Sequence, residues 1–388
     1  MTSPARSAAA RFALLYSAQF GAVGVMLPFL PAVLAGHGLS PQEVGAVLAT
    51  GSATRLVAAP LLGRAADALG NPRLVLIVAA LLAAASALGF ALAQLFLALL
   101  LVNLVHALCM APVIPLGDSL AIQASRREGF DYGRVRSAGS IAFIIAAATA
   151  GQAVGWGGPA AAVWLYAACL AAAAAAAAML GRDPAQALPA RRGSGGFRGP
   201  FRDPAFALVL PLSALIGGSH ALYYGFATIH WQAAGLSPAV IGLLWAEGVV
   251  AEVALFLWGR RLADRLGAPG LAALAAAAGV LRWGVTAETT WLPALATVQL
   301  LHAATFGAMH LAAMRVLARQ PPERAATAQT LHASLGGGLA SGVLMLAAGP
   351  LYAAAGGAGF WVMAGLCALA LPVTLGLRRR LASPAPAP

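Results

Sequence analysis

The sequence predicts an all-α membrane protein, with twelve transmembrane helices in two pseudo-symmetric six-helix bundles. Three observations carry that expectation. Of the 388 residues, 61% are hydrophobic and only 9% charged, and the mean hydropathy is +0.82, far from the composition of soluble domains. Apolar runs of about 20 residues, enough to cross a hydrocarbon core roughly 30 Å thick, recur along the whole chain. The third observation is a stretch written twice. Gly38-Leu39-Ser40-Pro41 through Asp67 and Gly70 recurs, at a constant offset of half the chain, as Gly235-Leu236-Ser237-Pro238 through Asp264 and Gly267. Gly45 falls on Gly242, Thr50 on Glu247 and Arg55 on Glu252 without any insertion. Self-similarity of this kind marks two copies of one structural unit.

Taken in order, the first apolar run covers residues 11 to 34, behind Arg6 and Arg11. It is too long for a cleaved signal and leads directly into a second run at 43 to 63. Arg64 and Arg73 lie between the second run and the third, 73 to 93, and the fourth follows at 95 to 120. Arg126, Arg127 and Arg134 introduce the fifth, 134 to 156, and the sixth is 160 to 180. The next segment, 181 to 204, is rich in Pro, Gly and Arg and cannot make an apolar span. It reads as a cytoplasmic linker between an N-terminal bundle, 1–180, and a C-terminal bundle, 205–380. The second set of six runs covers 205 to 230, 238 to 259, 269 to 287, 291 to 314, 326 to 350 and 357 to 377, and the tail 381–388 reads as disordered. A segment crossing hydrocarbon must satisfy its own backbone, so these runs are helices; strands would need alternating polarity.

All 24 basic residues are arginine, and the net charge of +12 would by itself suit nucleic acid. Their positions argue otherwise. Beyond the arginines already named, five lie in the 181 to 204 segment, Arg260, Arg261 and Arg265 follow the eighth run, Arg319 and Arg324 the tenth, and Arg378 to Arg380 the last. The alternate loops, 35 to 42, 157 to 160, 231 to 237 and 351 to 356, contain none. Positive residues mark the cytoplasmic face, so both termini are expected in the cytoplasm, in a bacterial-type inner membrane. Anionic lipid is then the neighbour of the basic surface, nucleic acid is not expected, and the chain reads as a monomer. Cys109, Cys169 and Cys367 fall inside apolar helices and read as packing residues. No metal-ligand or nucleophile–base spacing occurs in the spans, so neither a cofactor nor an enzyme is expected.

The repeated loops carry a signature. Gly63-Arg64-Ala65-Ala66-Asp67-Ala68-Leu69-Gly70-Asn71-Pro72-Arg73 resembles the loop motif of the major facilitator superfamily, and Arg260-Arg261-Leu262-Ala263-Asp264-Arg265-Leu266-Gly267 is its second-half counterpart. An Asp at a cytoplasmic helix end, beside Arg and a tight Gly turn, suits a charge network that opens and closes. Asp67, Arg73, Asp264 and Arg265 are the expected gate, with a solvated helix end as the alternative.

A closer resemblance runs through the second half. His220-Ala-Leu-Tyr223-Tyr224-Gly225-Phe226 leads to His230-Trp231-Gln232, followed by Gly248-Val-Val-Ala-Glu252, Gly279-Val-Leu-Arg282-Trp283-Gly284, His302-Ala-Ala-Thr305-Phe306 and His310-Leu-Ala-Ala-Met314-Arg315. With Pro115-Leu-Gly-Asp118 and Asp131-Tyr132-Gly133-Arg134-Val-Arg136 in the first half, the chain resembles the 3-phenylpropionate permease family, and more distantly lactose permease. The resemblance implies proton-linked uptake of an aromatic carboxylate. It also implies that Asp118 and Arg136 match a substrate-site carboxylate and arginine, and that Arg282 and His302 match a proton-coupling pair. The carboxylate that should follow His302 is replaced by Thr305, so the proton-carrying role moves to Glu252.

The same residues stand out without any family, because an ionisable group inside a span costs about 2.5–3.5 kcal/mol on insertion scales. Arg55, Asp118, Glu247, Glu252, Arg282 and the histidines at 106, 220, 302 and 310 qualify, with Arg136 near a helix end. Arginine stays charged and its planar fork can hold a carboxylate at two points, so Arg136 and Arg282 are candidate anion sites or, alternatively, structural partners of an acid. Burial of a carboxylate favours its neutral form, which suits Glu252 or Glu247 as a reversible proton carrier; the resemblance implies Glu252, with Asp118 second and an ion pair that only holds helices together as the alternative. His220, His302 and His310 are candidates for relaying protons or binding ligand, against a plain hydrogen-bonding role. Tyr223, Tyr224 and Trp283 could stack on an aromatic substrate, while Trp231 reads as an interfacial anchor.

These pieces imply a midplane cavity that opens alternately to each side. A sugar or nucleoside symporter and a drug/proton antiporter are the alternatives, and a membrane sensor or scaffold is a more remote one.

Overall fold

A computed structural model describes residues 3–181 and 198–382. Residues 182–197 of the expected linker and 383–388 of the expected tail lie outside the described residues. Among the described residues every regular element is helical, and eleven stretches are long and apolar enough to cross a membrane.

Twelve spans were expected, and the difference is local. Residues Glu323–Ala382 form one stretch of 60 residues. At 1.5 Å per residue it would measure roughly 90 Å as a straight helix, about three times a hydrocarbon core. It holds both expected runs, 326 to 350 and 357 to 377, and turns between them at Gly356, whose φ of 53° is open to glycine.

The described chain clusters into two compact units, residues 3–181 with 231–246, and residues 198–230 with 247–382. In the first, α1 (Ser3–Gly36) packs along α6 (Tyr132–Gly157) and α7 (Ala160–Ala178), while α3 (Pro72–Leu92) packs on α7 and on α4 (Phe96–Met110). Helix α2 is Pro41–Ala68, and α4 continues through a break at Ala111 and Pro112 into α5 (Val113–Glu128). Small residues set the spacing. A Cβ on Gly24 of α1 would sit 2.5 Å from the Phe143 carbonyl oxygen of α6, and Ala173, Ala176 and Ala177 of α7 are buried. Phe12, Leu15, Tyr16, Leu76, Val113 and Leu116 fill the core between them.

The second unit contains α8 (Pro204–Gly218), α9 (Ala221–Ala233) up to His230, and α10 (Pro238–Trp258) from Glu247. It continues with α11 (Arg260–Glu288), α12 (Leu292–Gln299), α13 (Met309–Leu317), α14 (Pro322–Leu331), α15 (Ala340–Ala355) and α16 (Phe360–Ala382). Helix α11 packs along α16, which also packs on α8, over a core that includes Phe206, Val209, Leu212, Leu271, Met309 and Leu377. Two π-helical turns interrupt this unit, Ala303–Ala308 ahead of α13 and His332–Leu339 after α14. The wider turn of a π-helix is uncommon and concentrates at functional places.

The duplication is written in the backbone. Gly38 and Gly235 have φ of 84° and 87°, and Gly70 and Gly267 both have φ of 60°. A side chain at these angles costs about 1–2 kcal/mol, which is why both copies keep glycine. Gly267 also divides α11, so the transmembrane part starts just after it, where the sequence places the span. At the start of α2, Ser40 and Glu43 form a reciprocal capping box, with Ser40 N–H donating to Glu43 at 2.8 Å. Position 240 in the second copy is Val, and only Ser237 remains as a cap there, accepting from Val240 N–H at 3.4 Å.

Outward positions are apolar: Leu81, Leu92, Leu97, Trp258 and Leu369 are each more than half exposed. Such a surface suits hydrocarbon and is foreign to water. All three cysteines are free, Cys367 buried and the others half-buried. Trp231, expected at the interface, is 1% exposed. His37, just after α1, bonds the Phe90 carbonyl at 2.7 Å.

Candidate functional site

Besides the buried His106 of α4, bonded to Ser86 at 3.0 Å and Tyr166 at 2.7 Å, the described residues place a cluster of charged and aromatic side chains at helix depth in each unit. In the first, Asp118 of α5 accepts hydrogen bonds from Tyr16 Oη of α1 at 2.7 Å and Tyr132 Oη of α6 at 3.1 Å. Arg136 of α6 stands 3.5 Å from the same carboxylate, each side chain about 30% exposed. The Arg136 guanidinium lies 3.8 Å over the Phe20 ring and 5.2 Å from the Tyr16 ring. Asp118 and Arg136 therefore come together as the sequence reading places them, but as a mutually compensated pair. Tyr16 and Phe20 were not singled out from sequence. Neutral aromatics are common in apolar helices, and nothing in their spacing separates them from packing residues.

The second cluster is centred on Arg282 of α11, which is fully buried. Its Nη1 donates to Thr305 Oγ1 at 3.0 Å and His302 Nδ1 at 3.1 Å, and lies 3.4 Å from His220 Nε2. Its Nη2 donates to Gln299 Oε1 at 2.8 Å, and Gln299 Nε2 donates in turn to Tyr223 Oη at 2.7 Å. The rings of Trp283 and Tyr223 lie 4.5 and 4.8 Å from the guanidinium carbon. All of these partners are neutral groups, and among the described residues no carboxylate pairs with Arg282, whose Nε has no hydrogen-bond partner. The local folding is specific. Gln299 ends α12, His302 sets the start of the π-helical turn and Thr305 lies inside it, so three side chains converge on one guanidinium.

Hydrogen-bond chemistry fixes the protons here. Arginine only donates, so His302 Nδ1 must be the unprotonated acceptor and the ring proton sits on Nε2. That Nε2 stands 3.6 Å from Glu252 Oε2 of α10, with the two side chains 10% and 16% exposed. His220 is held the other way round. Its Nδ1 faces the Ile216 carbonyl at 3.0 Å and must donate, leaving the single lone pair of Nε2 to accept from Thr305 Oγ1 at 3.2 Å.

The remaining sequence-derived residues lie elsewhere. His310, on α13, has its ring 6.3 Å from that of Phe256 and makes no contact with the Arg282 cluster. The Asp67 side chain lies outside the described residues. Arg73 donates to the Ala177 carbonyl at 3.1 Å and to that of Ala178, closing the end of α7. Asp264 pairs with Arg315 at 2.5 Å and Arg260 at 3.8 Å, whereas Arg265 is exposed and takes no part in that network. Of the expected second-half gate residues, Asp264 alone is in this network, because Arg315, on α13, reaches across to its carboxylate. Sequence reasoning missed Arg315, Gln299 and the acceptor role of Thr305, since a neutral residue replacing an expected acid looks like a loss.

Comparison with known proteins follows from this geometry. The MFS_1 like family profile matches residues 10–363. The chain is 34% identical over 364 residues to the probable 3-phenylpropionic acid transporter of Escherichia coli (strain K12), covering 91% of this chain and 93% of that one. It is 30% identical over 351 residues to the maltose permease of Geobacillus stearothermophilus, covering 88% and 86%. Among solved structures, the nucleoside transporter NupG superposes with a TM-score of 0.82 at 16% identity, over 97% of this chain and 99% of that one. That last likeness is one of fold.

Proposed function

The chain belongs to the MFS_1-like family and has the fold of its transporters, and on that premise we propose that it takes up an aromatic carboxylate together with a proton by alternating access. The observation that carries this reading is Arg282, a fully buried guanidinium bonded only to neutral groups. A permanent cation that touches no carboxylate, in a low-dielectric interior, is a site for an anion. The substrate carboxylate takes the edge of the fork formed by the unbonded Nε and by Nη2, displacing Gln299. Tyr223 and Trp283 line the ring of the same substrate. In this conformation the guanidinium is closed off, so the exchange requires Gln299 and Tyr223 to move.

Charge balance links that anion to a proton. With the site empty, Arg282 and an ionised Glu252 sum to zero. Adding a carboxylate alone leaves one negative charge, and adding a proton alone leaves one positive charge. Adding both restores zero. A net buried charge costs several kcal/mol, so the empty and the doubly loaded states are the ones that rearrange freely. His302 transmits the change, because its Nε2 proton faces Glu252 while Nδ1 stays committed to Arg282. Asp118, internally compensated by Arg136, binds substrate polar groups without carrying the proton. Asp264, with Arg315 and Arg260, serves as the second-half gate, and both termini face the cytoplasm.

Proton-driven uptake of a sugar is the second reading, favoured by the partly exposed Asp118–Arg136 pair flanked by aromatic rings and by the maltose permease relative. The test is uptake of labelled 3-phenylpropionate into vesicles under an imposed inward proton gradient, with maltose, nucleosides and a cationic dye as competitors. Gradient-dependent accumulation resistant to the competitors supports the proposal. Absence of accumulation refutes the substrate, and displacement by maltose favours the second reading.

A further inference from the structure

The first unit has a second charged place, unrelated to the spans' ionisable clusters. A cavity of about 240 Å³ opens between the beginnings of α1 and α3 and the ends of α5 and α7. Arg11, Arg73 and Arg127 line it, together with Glu128, and Phe12, Leu120 and Leu180 supply apolar wall.

The charges do not cancel. Arg127 is 2.8 Å from Glu128, which answers one guanidinium. Arg73 is held by the carbonyls at the end of α7 and keeps its positive charge, while those carbonyls are withdrawn from repelling an anion. Among the described residues no carboxylate pairs with Arg11, which is exposed on the first turns of α1. The negative ends of the α5 and α7 dipoles oppose an anion only partly, since each counts for about half a charge and fades within a turn. Ser7 and Gln123 add hydrogen-bonding groups at the rim.

A site for a soluble anion needs no apolar wall, whereas this lining combines converging guanidiniums with Phe12, Leu120 and Leu180 at the end of a membrane bundle. We propose that this cavity binds the phosphate of an anionic phospholipid headgroup, with Arg11 as its principal contact. The glycerol backbone lies on the apolar wall, and the arginine forks take the phosphate oxygens. Nothing in this site depends on the transported substrate.

The experiment measures retention of lipid by the purified full-length protein in detergent, by native mass spectrometry, with phosphatidylglycerol, phosphatidylcholine, glycerol phosphate and inorganic phosphate as probes. Phosphatidylglycerol is expected to be retained in preference to phosphatidylcholine. Arg11→Gln should weaken that retention about fivefold, the equivalent of the roughly 1 kcal/mol a basic group contributes near an anionic surface, and Arg11→Lys should restore most of it. Glycerol phosphate and inorganic phosphate should fail to displace the lipid. Gln123→Glu, at an exposed position, places a carboxylate at the rim and should also weaken retention, which keeps the test open if Arg11→Gln folds poorly. Equal retention of the two lipids, or retention unchanged by both Arg11→Gln and Gln123→Glu, overturns the proposal. Displacement by glycerol phosphate or inorganic phosphate at concentrations matching the lipid overturns the lipid as occupant and makes this a site for a soluble phosphate.

Discussion

Replacing Arg282 by Lys keeps the charge and removes the fork. In the native protein Nη1 reaches Thr305 and His302 at 3.0 and 3.1 Å while Nη2 reaches Gln299 at 2.8 Å. A single ammonium cannot stand at both nitrogen positions, so Lys gives up one side of this arrangement and offers a carboxylate one contact in place of two. A hydrogen bond to a charged group contributes about 1.5–3 kcal/mol, a factor of roughly 10 to 150 in Kd. The assay is equilibrium binding of 3-phenylpropionate and its neutral amide to the purified protein, read by intrinsic fluorescence, for which Trp283 lies 4.5 Å from the guanidinium carbon. Arg282→Lys should weaken the acid by that factor and leave the amide within about twofold. Wild-type affinity for the acid, or equal loss of acid and amide, would remove Arg282 from the carboxylate site. The acceptor left without a donor in the variant costs about 1–3 kcal/mol, so melting should also fall and binding should be measured well below the transition.

The other expectations concern the proton, the first cluster and helix packing. Glu252→Gln should abolish accumulation while preserving exchange. The native protein should accumulate substrate up to about tenfold per pH unit of gradient if one proton accompanies each carboxylate, since one unit is worth about 1.4 kcal/mol. Glu247→Gln, at a position with no contact to His302, should accumulate normally, and accumulation by Glu252→Gln would move the proton elsewhere. Asp118→Asn leaves the Arg136 guanidinium without its counter-charge. The pair is about 30% exposed, so the loss in stability should be only about 1–2 kcal/mol, seen as a lower melting temperature that Asp118→Asn/Arg136→Gln partly restores. Gly279 of α11 faces Cys367 of α16 so closely that an added Cβ would collide with the sulfur. Gly279→Ala should destabilise by about 1–3 kcal/mol, and Cys367→Ala in the same chain should return most of it in a double-mutant cycle; additive effects would mean the two do not share a contact.

What could be read from the chain follows from how rare a residue type is in its setting. Arginine and glutamate inside an apolar helix are conspicuous, so Arg282, Glu252 and the Asp118–Arg136 pair emerged without coordinates. Glycines repeated at a fixed offset are conspicuous as well, and their matched φ values gave the duplication structural form. Gln299, Thr305 and Tyr16 are ordinary residues in ordinary positions, and only the meeting of distant helices makes them ligands of a charge. Geometry also separates two arginines that sequence treats alike. Arg136 stands 3.5 Å from a carboxylate, whereas Arg282 is surrounded by neutral acceptors and rings. Likewise His302 and His310 are both histidines of one apolar run, yet only His302 meets Arg282, because the two lie about 12 Å apart along the helix axis.

The two copies of the repeated helix, α2 and α10, show where this asymmetry originates. Their flanking glycines keep the same left-handed angles, so the backbone frame of the duplication survives. The side chains it carries have opposite sign, Arg55 in one copy and Glu252 in the other. A charge in a span costs about 2.5–3.5 kcal/mol by insertion scales, so neither is retained at no cost by the frame itself. In the second unit Glu252 faces the one ring proton that Arg282 leaves available on His302, the contact on which the proposed proton role rests. In the first unit Arg55 lies 3.4 Å from Ser52 and pairs with no carboxylate among the described residues, while the ionised pair of that unit, Asp118 with Arg136, comes from other helices. A shared structural need would have kept one sign at both positions. Opposite signs on one frame mean that the copies diverged in charge, with an acid of the second unit placed against His302, a ligand of Arg282, and the Asp118–Arg136 pair formed within the first. Under the proposed symport, only the half containing Arg282 and Glu252 would change its net charge when one ligand arrives without the other.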